Sequence, residues 1–366
     1  MGLIYIPEKY ENEGDSIFLV GKILSNYKKV LIVAGKTAYS GVRNNLEKSL
    51  SQNNIRYAVE TFSGFPTKDK AEKYAEIIKR EGYNAVIAIG GGRALDNGKL
   101  SAHFASVPVV TIPTVPSTCA AWSLLSVVYN ENGGVVDYIF TTKTPIAVIA
   151  DKNILLSAPI AYLNSGIADT VVKRYEVATY YDESENSFAE RLQIKLSDFA
   201  LDILEKDYFE NNGSGVNVKE NAINAVIFLA GLIGSISGKV PYGGIAHRFY
   251  NQFTHIKKDI KDRPDRIHGE IVGFGLLVQF VCEGKDEGFI KKYISNFKKL
   301  GLPVCLKDLN ITTDIAEKVK ELSQRTFDIA PDPRVQSLDW VGLEVPITAK
   351  TIENAIYTID RYGENI

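Results

Sequence analysis

The chain has 366 residues, of which 45% are hydrophobic and 23% charged, with a formal net charge of −2. This excludes a disordered or fibrous chain and leaves room for two domains with their own cores. It also leaves no electrostatic case for a nucleic-acid or anionic-membrane partner, so a small-molecule substrate is expected.

Read from the N-terminus, "MGLIYIPEKY" shows no basic segment leading into a long apolar stretch, and Ile6 stands where a myristoylation signal needs Ser or Thr. No apolar run reaches transmembrane length. The cysteines Cys119, Cys282 and Cys305 fall in no CxxC spacing, which fits free thiols in a reducing compartment. A soluble cytoplasmic protein is expected. "LIYIP" from Leu3 reads as an edge strand that could pair between subunits.

"KVLIVAG" from Lys29 is a continuous, branched run ended by Gly, the pattern of a buried strand. "VRNNLEKSLSQ" from Val42 reads as helix, and "RYAVETF" from Arg56 as strand. "KDKAEKYAEIIKREG" from Lys68 has helical spacing and stops at Gly82. "NAVIAIGGG" from Asn84 and "VPVVTIP" from Val107 are further strands. "LLSVVYNENGGVVDYIF" from Leu124 is a hairpin around "NENGG", and "PIAVIADK" from Pro145 closes the strand-rich part. Such alternation predicts an α/β, mostly parallel, Rossmann-like nucleotide-binding domain over residues 1–153. From about Ile154 the apolar period becomes three to four residues, which predicts an all-α domain over 154–366. A cleft between two such domains is a favoured ligand site.

The first chemical signal is "AIGGGRALDNGKLSA". Gly90, Gly91 and Gly92 end a strand and open a helix, so backbone can approach a pyrophosphate at the helix N-terminus. The GxGxxG fingerprint is absent. The second signal is the sparse histidine set His103, His247, His255 and His268. His247 and His268 flank the charged stretch "KKDIKDRPDR" in the helical part. Each alone reads equally as a packed or surface residue. Asp169, in "NSGIADTVVKRYE", is a carboxylate on an apolar-faced helix whose position alone also suits a cap.

Taken in order, "GGGRALDNGK", "PTVPSTCAAWSLLSVVY", "SGIADTVVKRYE", "AHRFYNQFTH" and "HGEIVGFG" resemble segments of the iron-containing alcohol dehydrogenase superfamily, on its glycerol dehydrogenase branch. The pattern is most similar to hydroxycarboxylate dehydrogenase A-type members. The likeness runs from about Val30 to Phe280. It implies the dehydroquinate-synthase-like fold and an NAD(P)-dependent dehydrogenase working as a homo-oligomer.

The resemblance implies metal ligands at Asp169, His247 and His268. One carboxylate and two neutral imidazoles leave a divalent cation with open positions and Lewis acidity. Zn²⁺ is expected, with Fe²⁺ the alternative that the same ligands allow. His255 matches no ligand position, and His103 is expected to be structural. For the cofactor, NADP(H) or NAD(H), the resemblance places Gly91, Gly92 and Arg93 at the pyrophosphate and Thr114 and Ser117 along the same cleft. Ser123, Leu125 and Tyr129 fall beneath the nicotinamide and its ribose.

Two departures from the branch bear on specificity. Many NAD-using relatives carry Asp where this chain has Gly35, followed by Lys36. A carboxylate there repels a 2′-phosphate, so its loss predicts that NADP(H) is accepted. Glycerol dehydrogenases also read "STDAP" where this chain reads "STCAA". Cys119 is a poor substitute for an Asp that holds polyol hydroxyls, and it reads as a substrate-specificity position, since hydride transfer needs no thiol nucleophile. Lys173 stands four residues after Asp169, on the same helix face. Its ammonium is costly beside a metal cation unless an anionic group intervenes, so it is a candidate partner for a substrate carboxylate; the alternatives are a lysine that extends to solvent, or an ammonium that replaces the metal, which the intact ligand set argues against.

These features predict a metal-dependent oxidoreductase that interconverts a small 2-oxo acid, or a related carbonyl, with its hydroxy form. The alternative is a glycerol or polyol dehydrogenase of the same family. A dehydroquinate-synthase-like lyase is disfavoured because it resembles a Glu/His/His ligand set. An idle binding protein is disfavoured by the intact ligands and glycines.

Overall fold

A computed structural model describes residues 4–179, 187–236, 243–256, 266–328 and 346–366. It divides into two compact units. One comprises residues 4–159 and 226–235, the other residues 160–225 and those from 236 onward.

A single cut after residue 153 was the expectation, and the difference has local causes. The buried Asp151 carboxylate accepts N–H groups from Ile17 and from Asn153 and Ile154, which ties the short helix Lys152–Leu156 to the N-terminal unit. Residues 226–235 join the same unit through aromatic packing. Phe228 contacts both Tyr10 and Trp122, and the Trp122 indole donates to Ser235 Oγ at 2.9 Å.

The N-terminal unit contains β1 (Tyr10–Glu11), β2 (Lys29–Gly35), β3 (Arg56–Phe62), β4 (Ala85–Gly90), β5 (Val109–Pro113), β6 (Leu125–Tyr129), β7 (Val135–Phe140) and β8 (Ala147–Ile149). Six of these form one sheet in the order β1-β8-β5-β4-β2-β3, with every pairing parallel. Val30, Leu31, Ile32 and Val33 of β2 and all of β4 are buried, as two covered faces require. The antiparallel β6–β7 hairpin stands apart from this sheet.

The edge strand is not the "LIYIP" segment. Leu3 lies outside the described residues and Ile4 makes only a single bridge, whereas Tyr10–Glu11 pairs with β8. Side-chain burial separates the two segments: the Tyr10 ring packs against Trp122 at 5.6 Å, while Ile4 and Ile6 stay exposed.

Helices α1 (Lys36–Gln52), α2 (Lys68–Glu81) and α3 (Gly92–Ala105) follow β2, β3 and β4. Helix α1 starts earlier than the expected Val42, because Gly35 is an extended N-cap that passes the chain directly from strand to helix. Thr67 caps α2 by accepting the Lys70 N–H, and Gly82 closes it at φ 69°. The chain leaves β2 toward β3 at one edge, then returns to β2's other side with β4. That reversal makes the carboxyl ends of β2 and β4 a topological switch point, the favoured ligand position in open α/β sheets.

The second unit is built of helices, among them α4 (Ile160–Ala178), α5 (Ile245–Ile256) and α6 (His268–Cys282). Contrary to the expectation of no transmembrane-length segment, the helical stretch Val216–Ser235 is long and apolar enough to cross a membrane, with mean hydropathy 1.3. The unbroken-run criterion missed it because Lys219 and Glu220 interrupt its apolar residues. Half of it is buried, and Ala222, Val226, Ile227 and Ile233 are among its core residues, so ordinary interior packing accounts for the composition.

Candidate active site

Helix α4 carries Asp169, Lys173 and Glu176 at i, i+4 and i+7, which places them on one face. All three are buried. His247 lies in the first turn of α5, and His268 is the first residue of α6. Each presents Nε2 to Asp169 Oδ1, at 3.5 Å in both cases. The three ligand atoms lie within 4.8 Å of one another. One carboxylate oxygen and two imidazole nitrogens at this separation fit a divalent cation.

Close helix approach brings these side chains together. A Cβ on Gly269 would stand 1.9 Å from the Ser165 carbonyl oxygen of α4, so only glycine lets the start of α6 reach that helix. A Cβ on Gly275 would stand 2.7 Å from the Ala246 carbonyl oxygen of α5. The glycines of "HGEIVGFG" therefore set the spacing of three helices. Glu270 anchors the first turn of α6 by accepting the Ile267 N–H at 2.8 Å.

Lys173 Nζ also meets Asp169 Oδ1, at 2.8 Å. The ammonium is 5% exposed and does not extend to solvent. Burial opposes ionisation of Asp169, yet the Lys173 charge and hydrogen bonds from both imidazoles hold its carboxyl well below the usual carboxylate range. The histidines diverge. Burial pushes both toward the neutral form, but the Glu176 carboxylate and hydrogen bonds to Asp169 and Glu176 raise His247 overall, whereas His268 is lowered.

His255 lies in the last turn of α5, outside this cluster. His103 belongs to α3, where its Nδ1 accepts the Thr142 N–H at 3.5 Å. Of the charged stretch between His247 and His268, residues 257–265 lie outside the described residues.

The candidate cofactor residues occupy the other unit. Gly35 ends β2, and Lys36 opens α1. Gly91 is the extended N-cap of α3, followed by Gly92 and Arg93 in its first turn. A Cβ at Gly91 would meet Val115 at 3.1 Å and one at Gly92 would meet Thr118 at 3.0 Å, so the loop after β5 closes over this helix start. The Thr114 N–H donates to the Gly90 carbonyl at 3.1 Å, and Ser117 is buried in the same loop. Arg93 lies over the Phe65 ring, which also packs against Tyr129 at 5.6 Å. Leu125 and Tyr129 bound β6, with Leu125 partly exposed. Cys119 begins a 3₁₀ turn, Cys119–Ala121, and is partly exposed.

Residues 7–152 match the family model for iron-containing alcohol dehydrogenase. The chain is 27% identical over 372 residues to a glycerol dehydrogenase of Citrobacter freundii, covering 99% of this chain and 98% of that protein. It is 27% identical over 289 residues to hydroxycarboxylate dehydrogenase A of Escherichia coli, covering 76% and 75%. The solved glycerol dehydrogenase of Schizosaccharomyces pombe has the same fold, with TM-score 0.84, 24% identity and coverage of 99% and 91%. The match over residues 7–152 and the shared fold make this chain similar to the iron-containing alcohol dehydrogenases. Along nearly its whole length it is similar to a dehydrogenase, as an oxidoreductase would be.

Two groups of residues were not singled out from the sequence. Asp96 and Lys99 form a buried pair on α3, 3.2 Å apart. Lys99 Nζ donates to the carbonyls of Ser123 and Leu125, at 2.9 and 2.6 Å, and to Ser123 Oγ. The pair thus fixes the strand start that carries Ser123 and Leu125. Its i, i+3 spacing inside "RALDNGK" was the available signal. The other is Glu176, whose carboxylate takes His247 Nδ1 at 2.7 Å. Its i+7 spacing from Asp169 marked the shared face, but the partner lies 71 positions away.

Proposed function

We propose that this oxidoreductase interconverts a small polyol with its hydroxy-carbonyl form, by hydride transfer to or from NADP(H) or NAD(H), using a divalent metal ion held by Asp169, His247 and His268. The observation that carries the reading is the convergence of those three ligand atoms within 4.8 Å in a largely buried setting. The polyol substrate is favoured over the 2-oxo acid because the glycerol dehydrogenase likeness extends along nearly the whole chain, while the hydroxycarboxylate likeness covers 76% of it.

When bound, the metal, with Zn²⁺ the first expectation, would supply Lewis acidity toward the substrate oxygen. Asp169 contributes a carboxylate that is ionised at neutral pH, and the imidazoles offer Nε2 lone pairs when neutral. Backbone N–H groups at Gly91 and Gly92 suit a pyrophosphate at the start of α3, with Arg93 adding positive charge. Ser123, Leu125 and Tyr129, supported by Lys99 and Phe65, are the nicotinamide-side candidates.

Gly35 supports acceptance of NADP(H). Its φ of −63° and ψ of 142° suit any residue, and the nearest atom to an added Cβ is Ala38 Cβ at 3.8 Å. The backbone does not require glycine, so the missing carboxylate fits a 2′-phosphate requirement, and Lys36 adds positive charge beside it. A kcat/KM for NADPH well below that for NADH overturns this preference.

Metal content and a screen of polyols, ketones, aldehydes and 2-oxo acids with both cofactors test the main reading. It expects turnover of a diol or triol that is lost on chelation; turnover confined to 2-oxo acids overturns it. That second reading is favoured by one observation, the buried Lys173 ammonium 2.8 Å from a ligand oxygen. A substrate carboxylate would offset the charge it places beside a metal. Under this reading, Lys173→Ala raises KM for a 2-oxo acid far more than for a neutral ketone, and equal changes defeat it.

A further inference from the structure

We infer that Glu176 is a positioning residue that selects the Nδ1–H tautomer of His247 and so keeps Nε2 free to act as a ligand. This rests on the reading of Asp169, His247 and His268 as a metal site.

Glu176 is fully buried and makes two contacts with one residue. Its Oε1 accepts the His247 backbone N–H at 3.0 Å, and its Oε2 lies 2.7 Å from Nδ1 of the same residue. An ionised carboxylate can only accept, so Nδ1 must carry the proton. In the neutral ring the opposite nitrogen, Nε2, then carries the lone pair that a cation beside Asp169 would take; only the protonated ring donates from Nε2 to Asp169 Oδ1, 3.5 Å away. One carboxylate thereby fixes the imidazole tautomer, its ring orientation and the backbone beneath it.

The surroundings are built for this contact. The first turn of a helix leaves N–H groups without intrahelical partners and favours a negative charge. In α5 the Ala246 and His247 N–H groups are taken by side chains from two other helices, Gln279 Oε1 of α6 at 3.3 Å and Glu176 Oε1 of α4. Gln279 is held in turn by donating Nε2 to Glu283 at 2.8 Å. Gly244 provides the clearance: a Cβ there would stand 2.6 Å from Gln279 Oε1 and 2.9 Å from Glu176 Oε1. Glu176 therefore links α4 to the start of α5, and its location does not depend on its touching substrate.

The test uses full-length protein stripped of metal, with ¹⁵N-labelled histidine; the chain has only 4 histidines. At a pH where His247 is neutral, two-bond ¹H–¹⁵N couplings should report an Nδ1–H tautomer. An Nε2–H tautomer overturns the inference without any variant. In Glu176→Gln the amide can take the N–H through its oxygen and turn its NH₂ toward Nδ1, which favours the opposite tautomer. Zinc affinity, measured by chelator competition, should then fall about 10–100-fold, while Glu176→Asp should retain the Nδ1–H signature. A Glu176→Gln protein that keeps both the tautomer and the wild-type zinc affinity defeats the proposal. If Asp169→Asn leaves zinc affinity unchanged, the metal reading fails instead, and the tautomer in the metal-free protein still decides the role of Glu176.

Discussion

At the carboxyl ends of β2 and β4 the chain presents glycines and backbone N–H groups. On α4, α5 and α6 it presents charged side chains drawn from positions 169, 247 and 268. The first region needs absence of bulk over a short stretch of chain, because backbone itself is the binding surface. The second needs several side chains to meet at one point, so it depends on the spacing of whole helices. A backbone-made site should therefore respond to substitution by degrees, whereas a site made of converging charged groups should lose function abruptly.

The largest expected effect follows from that contrast. Asp169→Asn removes the only carboxylate among the three ligand atoms, and with it the negative charge that Lys173 Nζ meets at 2.8 Å. kcat/KM should fall by at least about a thousandfold, equivalent to about 4 kcal/mol of lost charge stabilisation. Steady-state kinetics with metal in excess checks this; activity within tenfold of wild type would mean that the cluster is not the reacting centre.

The next effect concerns the scaffold. Gly269→Ala places a methyl group 1.9 Å from the Ser165 carbonyl oxygen, so α6 must move away from α4. We expect about 1–3 kcal/mol of destabilisation, read from denaturant titration, with weaker zinc binding because His268 moves with the helix. Gly41→Ala is the matched control. Nothing lies within 4 Å of its Cβ, and it sits inside α1, where alanine favours helix by up to about 1 kcal/mol. Equal losses in the two variants would break the link between helix spacing and ligand geometry.

The same contrast explains what could be read from the sequence. β2, β3 and β4 were legible because their residues run continuously apolar or alternate and then stop at a glycine or turn. The glycine cluster at 90–92 was legible because a local motif occupies a local position. The ligand set was not legible from spacing, since its members are separated by 78 and 21 positions; only the family resemblance connected them. Glu176 and the Asp96–Lys99 pair escaped notice because their roles lie in contacts across helices and loops. The return of residues 226–235 to the N-terminal unit escaped for the same reason, as it depends on Phe228 meeting Tyr10 and Trp122.

Smaller effects are expected at the cofactor end. Gly35→Asp introduces a carboxylate where the backbone already permits a side chain. The ratio of kcat/KM for NADPH over NADH should drop about tenfold, equivalent to about 1.4 kcal/mol. Protein stability should barely change, since the added Cβ meets nothing closer than 3.8 Å. A ratio that does not move would place the 2′ position of the cofactor away from the end of β2.

The smallest effect should come from Cys119→Asp, which also bears most directly on substrate. Cys119 is partly exposed on the 3₁₀ turn Cys119–Ala121, within electrostatic reach of Lys99. A carboxylate there gains an attractive cation nearby, so the substitution should be tolerated. It introduces a negative group able to accept hydrogen bonds from polyol hydroxyls, and it adds repulsion toward an anionic substrate. We expect the kcat/KM ratio of a vicinal diol over a 2-oxo acid to rise a few-fold, about 1 kcal/mol or less. The direction separates two roles for the thiol: a rise makes Cys119 a determinant of substrate charge, whereas equal changes for both substrates reduce it to packing within the turn.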